Sequence, residues 1–333
     1  MKDRYSREIE YLRVSVTDRC NLRCRYCMPE EGVQTVPHSE ILTFAEIQRL
    51  VGLMAGMGVK KVRLTGGEPL VRRGIEQLAA GIKAQPGIQT LALTTNGLLL
   101  GQKAKALKEA GVSAVNLSLD TLNPARYEAL TRRDGFAAAW QGLQAALAEG
   151  FETIKVNCVL SPESSWEDWL PVAALAKTLP VDVRFIEWMP IAGEGTGQMV
   201  QAPQLLAGLA RSFGPLQSIS PGQGGGPAEY YRADGFVGRL GVIHAMSNCF
   251  CAACNRVRLT STGELKLCLF YDEGVALKPL LRGGATDEEI RQAVRQAILR
   301  KPRQHRGHRL AADQEGEGGP LINTPCGMFS IGG

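Results

Sequence analysis

The chain has 333 residues, 44% hydrophobic and 21% charged, with a formal net charge of +5. That size allows one large domain or two ordinary ones, and the charge is too mild to argue for a nucleic-acid partner. No apolar run approaches the ~18 residues of a membrane span, and the charged opening MKDRYSREIE lacks a signal peptide's apolar core, so a cytoplasmic protein without a membrane or nucleic-acid partner is expected.

From residue 10 to about 212, short β-branched runs alternate with amphipathic patterns. Strands are expected at 11–17, 60–65, 88–95, 113–119, 153–160 and 182–188. Helices are expected near 43–57, 73–85, 101–110, 124–149 (broken at Gly135) and 166–178. Thr43 and Glu46 form a capping box at the start of the first helix. Such alternation builds a parallel sheet with right-handed crossovers, either an open doubly wound sheet or an incomplete barrel.

The pattern within each strand separates these two. Arg13, Ser15 and Thr17 share one face of the first strand, opposite Leu12, Val14 and Val16. Lys61, Arg63 and Thr65 oppose Val62 and Leu64 in the second. Thr90, Thr94 and Asn96, then Asn116, Ser118 and Asp120, then Lys155 and Asn157 continue the polar face; Arg184 opposes Val183 and Phe185. Doubly wound strands read apolar on both faces. One polar face therefore predicts a curved sheet with helices outside and a wet concave interior. Arg13, Arg63, Lys155 and Arg184 would converge there, and cations in a partly dry cavity need a counter-charge. A polyanion of triphosphate size suits them; the alternative leaves some of them at strand ends in water. TDRC, TGGEP, TTNG, SLD and EWMP all fall at or after strand carboxyl ends, where barrels place their chemistry.

Beyond about residue 213 the character changes. GPLQSISPGQGGGPAEYY reads as a linker, which divides the chain into units at 1–212 and 213–333. Short strands are expected at 229–233, 236–243, 255–260 and 264–268, and a last helix near 286–300 behind a Thr286–Glu289 capping box. The basic run KPRQHRGHR (301–309) reads as a solvated linker. GEGTGQ (193–198) and GQGGG (222–226) lack the Lys and strand–helix context of a phosphate-binding loop. His244, His305 and His308 have no metal-like spacing to the cysteines and receive no role.

Nine cysteines in such a protein suggest metal or cluster binding rather than disulfides. Cys20, Cys24 and Cys27 are spaced C-x3-C-x2-C. Cys251, Cys254 and Cys268 are spaced C-x2-C-x13-C, with Cys249 as a fourth ligand or a bystander. Thiolates this close ligate zinc or an iron–sulfur cluster. Zinc wants a fourth ligand, and nothing about the spacing of His38 recommends it; a cluster held by three thiolates leaves one iron open for a small molecule. A zinc knuckle stays the alternative for the second triplet. Arg256 and Arg258 face one way on the strand that follows it, as forks suited to phosphate. Cys158 reads as core and Cys326 as a free thiol.

C-x3-C-x2-C followed by GGEP resembles the radical S-adenosylmethionine (SAM) enzyme superfamily. FCAACNRVRLT, Cys268 and the terminal Gly332 and Gly333 make the chain similar to the GTP 3′,8-cyclase family, that of molybdenum cofactor biosynthesis protein A, over essentially its whole length. The resemblance implies an α/β fold, an incomplete (β/α)6 TIM-like barrel whose open side is closed by a C-terminal region carrying a second Fe–S cluster. It implies two [4Fe-4S] clusters, one on Cys20, Cys24 and Cys27 that binds SAM, and one on Cys251, Cys254 and Cys268 that binds the guanine ring of GTP. Tyr26, Gly67, Ser118 and Met189 would line the SAM site. Arg13, Arg63, Thr94, Lys155, Arg256, Val257 and Arg258 would bind GTP. Arg13, Arg256 and Arg258, with Gly332 and Gly333, would be catalytic.

The implied reaction is the first step of molybdenum cofactor biosynthesis. A 5′-deoxyadenosyl radical removes the 3′ hydrogen of GTP, C3′ attacks C8, and an electron and a proton complete (8S)-3′,8-cyclo-7,8-dihydroguanosine 5′-triphosphate. An external electron donor, functional coupling to cyclic pyranopterin monophosphate synthase, and a monomer or homodimer are also implied. One rival is a peptide-modifying radical SAM maturase with an auxiliary cluster, a class that commonly carries more C-terminal cysteines. The other is a non-enzymatic zinc-knuckle or electron-transfer protein, which leaves GGEP and the polar face without a use.

Overall fold

The computed structural model describes residues 1–34, 36–189, 200–220, 226–248, 250–271 and 273–305. Cys249, Cys326, His308, Gly332, Gly333, GEGTGQ and most of GQGGG lie outside the described residues.

Six strands, β1 (Tyr11–Ser15), β2 (Lys61–Thr65), β3 (Thr90–Thr95), β4 (Ala114–Ser118), β5 (Thr153–Leu160) and β6 (Asp182–Glu187), pair in parallel, each beside the one before. The chain returns between them through α1 (Phe44–Gly56), α2 (Ile75–Lys83), α3 (Leu100–Glu109), the pair α4 (Pro124–Thr131) and α5 (Phe136–Ala148), and α6 (Trp166–Thr178). The expected box caps α1: Thr43 Oγ1 accepts from Glu46 N at 3.2 Å, and Glu46 Oε2 accepts from Thr43 N at 2.7 Å, a cap worth about 1 kcal/mol. The expected break falls between α4 and α5, where Arg132 takes a left-handed conformation (φ 55°).

Period-two alternation sets the core. Leu12, Val14, Val62, Leu64, Leu91, Leu93, Val115, Leu117, Val156, Cys158, Val183 and Phe185 are fully buried on one side of the sheet, packed in one cluster with Leu50, Leu78, Leu107 and Val172 of the surrounding helices. Each such side chain contributes about 1.5–3 kcal/mol when buried. The opposite faces carry the polar residues and stay free of the helices.

The C-terminal part joins this array at both edges. α7 (Ala202–Phe213) is a helix that the pattern reading lacks; it buries Leu205 and Leu209, with Trp166 of α6 lying where a side chain at Gly208 would sit. Then follow β7 (Gln217–Ile219), β8 (Glu229–Arg232), β9 (Arg239–Ile243), β10 (Arg256–Leu259), β11 (Glu264–Lys266), β12 (Gly274–Ala276), α8 (Leu277–Arg282) and α9 (Asp287–Leu299). β9 pairs in parallel with β6, and β10 in parallel with β1. The result is one unclosed 12-stranded sheet, ordered β12-β11-β10-β1-β2-β3-β4-β5-β6-β9-β8-β7. The incomplete barrel is thus extended on both sides by short C-terminal strands. Among the described residues, no helix is long and apolar enough to cross a membrane.

A cationic cavity between two cysteine triplets

Register places the inner side chains in rows. Tyr11 stands opposite Lys61 on one side and Arg256 on the other. Arg13 stands opposite Arg63 and Arg258. Across the cavity, Lys155 of β5 and Arg184 of β6 face the same space. The cavity has about 1180 Å3 including its open mouth, and eight lysine or arginine side chains line it, with no aspartate or glutamate among the lining residues. Asp182, outside the lining, acts on Lys155 and Arg184, while Arg239 grips both its oxygens at 2.7 and 2.6 Å.

Electrostatics record the crowding. Burial, then Arg184, Lys61 and Arg63, bring Lys155 down to about 7 against an opposing pull from Asp182. Burial, then Arg13, Arg184 and Arg256, bring Arg63 down to about 9 despite an opposing pull from Tyr11. Burial also holds Arg258 well below its ordinary value. Guanidinium groups keep their protons in proteins, so this strain is a standing demand for an anion. Orphaned donors say the same. Arg13 Nε, Arg63 Nε and Thr94 Oγ1 are buried without a hydrogen-bond partner. Arg184 differs: Asn157 Oδ1 and Asn116 Oδ1 accept from its guanidinium, the latter at 2.8 Å.

The first cysteine triplet follows β1. Its loop is docked on α4, with Arg23 N donating to Thr131 O at 2.9 Å and Arg25 N to Leu130 O at 3.0 Å. Cys20 Sγ accepts from Leu22 N at 3.4 Å. The GGEP segment sits directly beneath: a Cβ at Gly66 would lie 2.5 Å from Thr17 O, and one at Gly67 2.4 Å from Arg19 O. Only glycine allows this approach. Glu68 is buried and accepts from Asn96 N, Thr95 Oγ1 and Leu70 N at 2.7–2.9 Å; burial still pushes it up to about 7. A smaller cavity beside Cys24 is lined by Tyr26, Asn96, Ser118 and Asp120, and Tyr26 OH donates to Asp120 Oδ2 at 2.8 Å.

The second triplet is assembled from two segments of the chain, 251–254 and the residue after β11. Cys251 opens a short 3-10 turn, Cys254 leads into β10, and Cys268 follows β11; all three line the cationic cavity. Arg7, ion-paired with Asp3 at 2.6 Å, donates to Cys251 O at 2.9 Å. Lys301 is 2% exposed. Its Nζ donates to Arg256 O at 2.9 Å and to Leu267 O, joining the segments that carry Cys254 and Cys268. His305 is buried and stacks on Phe270 at 4.4 Å. The reading of 301–309 as a solvated linker is therefore corrected at Lys301 and His305. A basic run carries no local sign that backbone carbonyls 34 and 45 residues away accept from one of its lysines.

Because β10 runs parallel to β1, Cys254 before β10 and Cys20 after β1 lie at opposite ends of the rows. The four steps from Tyr11 to Ser15 cover about 13 Å. The second triplet lines the cationic cavity, and Cys24 of the first lines the smaller one.

Against known proteins, residues 14–176 match the model of the radical SAM superfamily, and residues 181–307 that of the Molybdenum Cofactor Synthesis C family. The chain is 49% identical over 308 residues to the GTP 3′,8-cyclase of Pelotomaculum thermopropionicum, covering 92% of this chain and 95% of that protein. It belongs to the GTP 3′,8-cyclase family. The Heliobacterium modesticaldum GTP 3′,8-cyclase is 45% identical over the full length of both chains. Human molybdenum cofactor biosynthesis protein 1 is 41% identical, over 92% of this chain and 48% of that protein. SAM-bound SuiB of Streptococcus suis shares the fold, with a TM-score of 0.56 at 14% identity over 92% of this chain and 74% of that one.

Membership in the radical SAM family implies a [4Fe-4S] cluster and SAM, and the residues fit a cluster. Cys20, Cys24 and Cys27 are free thiols. Burial raises all three; Cys27 and Cys20 raise Cys24 further, and Cys20 raises Cys27, to about 12. Three thiols that oppose one another's ionisation in a buried loop need a shared positive centre.

The remaining expected site residues divide by place. Tyr26 and Ser118 line the small cavity by Cys24, while Met189 lines the cationic one. Gly67 and Thr94 are in neither lining. Val257 points into the core, leaving only its main chain for any ligand. Lys61 belongs to the cationic set with no family motif to mark it.

Proposed function

We propose that this chain is a radical SAM GTP 3′,8-cyclase, converting GTP to (8S)-3′,8-cyclo-7,8-dihydroguanosine 5′-triphosphate as the first step of molybdenum cofactor biosynthesis. The cationic cavity carries the reading: eight cations without a lining carboxylate, walled by Cys251, Cys254 and Cys268, suit a nucleoside triphosphate held against a cluster. Cys20, Cys24 and Cys27 would hold the SAM cluster, with SAM against Tyr26, Gly67, Ser118 and Met189; Cys251, Cys254 and Cys268 would hold a second. When bound, cluster and SAM supply a 5′-deoxyadenosyl radical.

This chain's residues would do the rest. Arg13, Arg63, Thr94, Lys155, Arg256 and Arg258 would hold the triphosphate, the cations by charge and Arg13 Nε, Arg63 Nε and Thr94 Oγ1 as buried donors without a partner, and the burial of this set would limit water at the reacting atoms. Holding both reacting carbons in one bound molecule supplies proximity. Gly332 and Gly333 keep their proposed catalytic place with Arg13, Arg256 and Arg258. An external electron donor and a downstream cyclic pyranopterin monophosphate synthase complete the pathway.

Anaerobic reconstitution, metal counting, and assay of 5′-deoxyadenosine and cyclised GTP with and without each substrate test this reading. Iron without zinc and GTP-dependent product are expected. Zinc without iron, or SAM cleavage that never yields a GTP product, would contradict it. Cys251→Ala is expected to lower iron while leaving SAM cleavage measurable and cyclisation lost; unchanged iron would remove the second cluster.

Lys155 makes the site pH-sensitive. It is charged only below about 7 in the empty cavity, and a bound polyanion favours the charged form. GTP binding should therefore take up a proton at pH 8, and affinity should fall from pH 7 to 9, where the phosphates are already ionised. Calorimetry in buffers of different ionisation enthalpy reads the uptake, and Lys155→Met should reduce it.

A further inference from the structure

One buried group in the cavity has no assigned task. Tyr11 stands on the inner face of β1, 6% exposed, in the lining of the cationic cavity. Its ring is held by cations: Lys61 Nζ lies 5.2 Å from the centroid, and the guanidinium carbons of Arg63 and Arg13 lie at 5.4 and 5.8 Å. Those contacts use the ring. The hydroxyl is buried and has no hydrogen-bond partner.

A buried hydroxyl left unpaired costs stability, and phenylalanine would fill the same space without that cost. The phenol oxygen could accept from these cations, but none of them bonds it; its O–H proton needs an acceptor, and the charged neighbours here are all donors. Arg13 Nε and Arg63 Nε are orphaned in the same way, on the facing side chains. Three unsatisfied donors on two adjacent strands describe a cradle for one acceptor-rich anion.

We infer that the Tyr11 hydroxyl donates a hydrogen bond to a phosphate oxygen of the bound nucleotide, as a substrate-positioning residue of the row Arg256–Tyr11–Lys61. This rests on the nucleotide reading above. The titration of Tyr11 agrees with it. Burial raises the phenol, but Arg63, Arg13, Lys61 and Arg256 more than offset that, to about 8. An anion placed among those cations cancels their field and keeps the phenol in its donating form.

The test is Tyr11→Phe in the reconstituted holoprotein, with anaerobic equilibrium binding of GTP, GDP, GMP and guanosine, and thermal unfolding without ligand. The variant should bind GTP about 10- to 100-fold more weakly, as expected for one hydrogen bond to a charged acceptor. The loss should shrink as phosphates are removed and vanish for guanosine. Without ligand, the variant should melt at the same temperature or higher. Equal GTP affinity in both proteins would overturn the inference. So would an equal loss for guanosine and GTP, which would put the hydroxyl on the base. Failure of the wild type itself to bind GTP would instead overturn the nucleotide reading.

Discussion

Cys20→Ala is expected to abolish SAM cleavage. Its thiol is one of three free thiols in the loop after β1, with Cys24 and Cys27. Losing one thiolate of three removes a ligand that the proposed cluster requires. The fold should tolerate the change. Cys20 is half-buried, and its Sγ accepts only long contacts from Leu22 N and from Asn96 Nδ2 at 3.9 Å. Ligand-free stability should therefore stay within about 1 kcal/mol, the scale of one weak hydrogen bond. Iron content should fall to that of the second site, and 5′-deoxyadenosine should drop below detection. Full iron with residual cleavage would show that Cys20 holds no cluster.

Arg63→Met should move binding and stability in opposite directions. Arg63 is 7% exposed, faces Arg13 across the strand pair, and has a buried Nε with no partner. In the empty protein it is a buried charge among like charges, and an apolar side chain of similar length relieves that repulsion. Ligand-free stability should rise by about 1 kcal/mol or more. On the proposed reading the same charge would become the ion partner of a substrate phosphate, worth about 1.5–3 kcal/mol. GTP affinity should fall on the order of 100-fold. Denaturant melts and anaerobic binding on one preparation read both. A variant that loses stability and binding together would make Arg63 structural. The expected trade marks a site kept strained for function.

How much of this was legible depended on how local each signal is. The six strands β1–β6 follow from alternation within five to eight residues, because a strand's neighbours on one face are two positions apart. The same alternation put Arg13, Lys61, Arg63, Lys155 and Arg184 on one face. α7 lies outside the pattern reading although Pro203 stands in its first turn, where proline is tolerated; Gly208 leaves room for Trp166 of α6 against it. Arg184 stands apart from the other cations only through two asparagines on neighbouring strands.

The sequence by itself determined which residues carry chemistry: two cysteine triplets, a glycine pair before Glu68, and a polar face rich in cations. Those are short-range patterns, and spacing along the chain expresses them. Only the tertiary structure decided how they meet. Parallel pairing of β10 with β1 put Cys254 and Cys20 at opposite ends of the strand pair and brought Arg256 and Arg258 beside Tyr11 and Arg13. Burial decided that Lys301 is a strut rather than a solvated charge. It also left the Tyr11 hydroxyl without a protein partner. Hydrogen-bond satisfaction inside a cavity depends on every strand around it, and no window of the sequence contains them all.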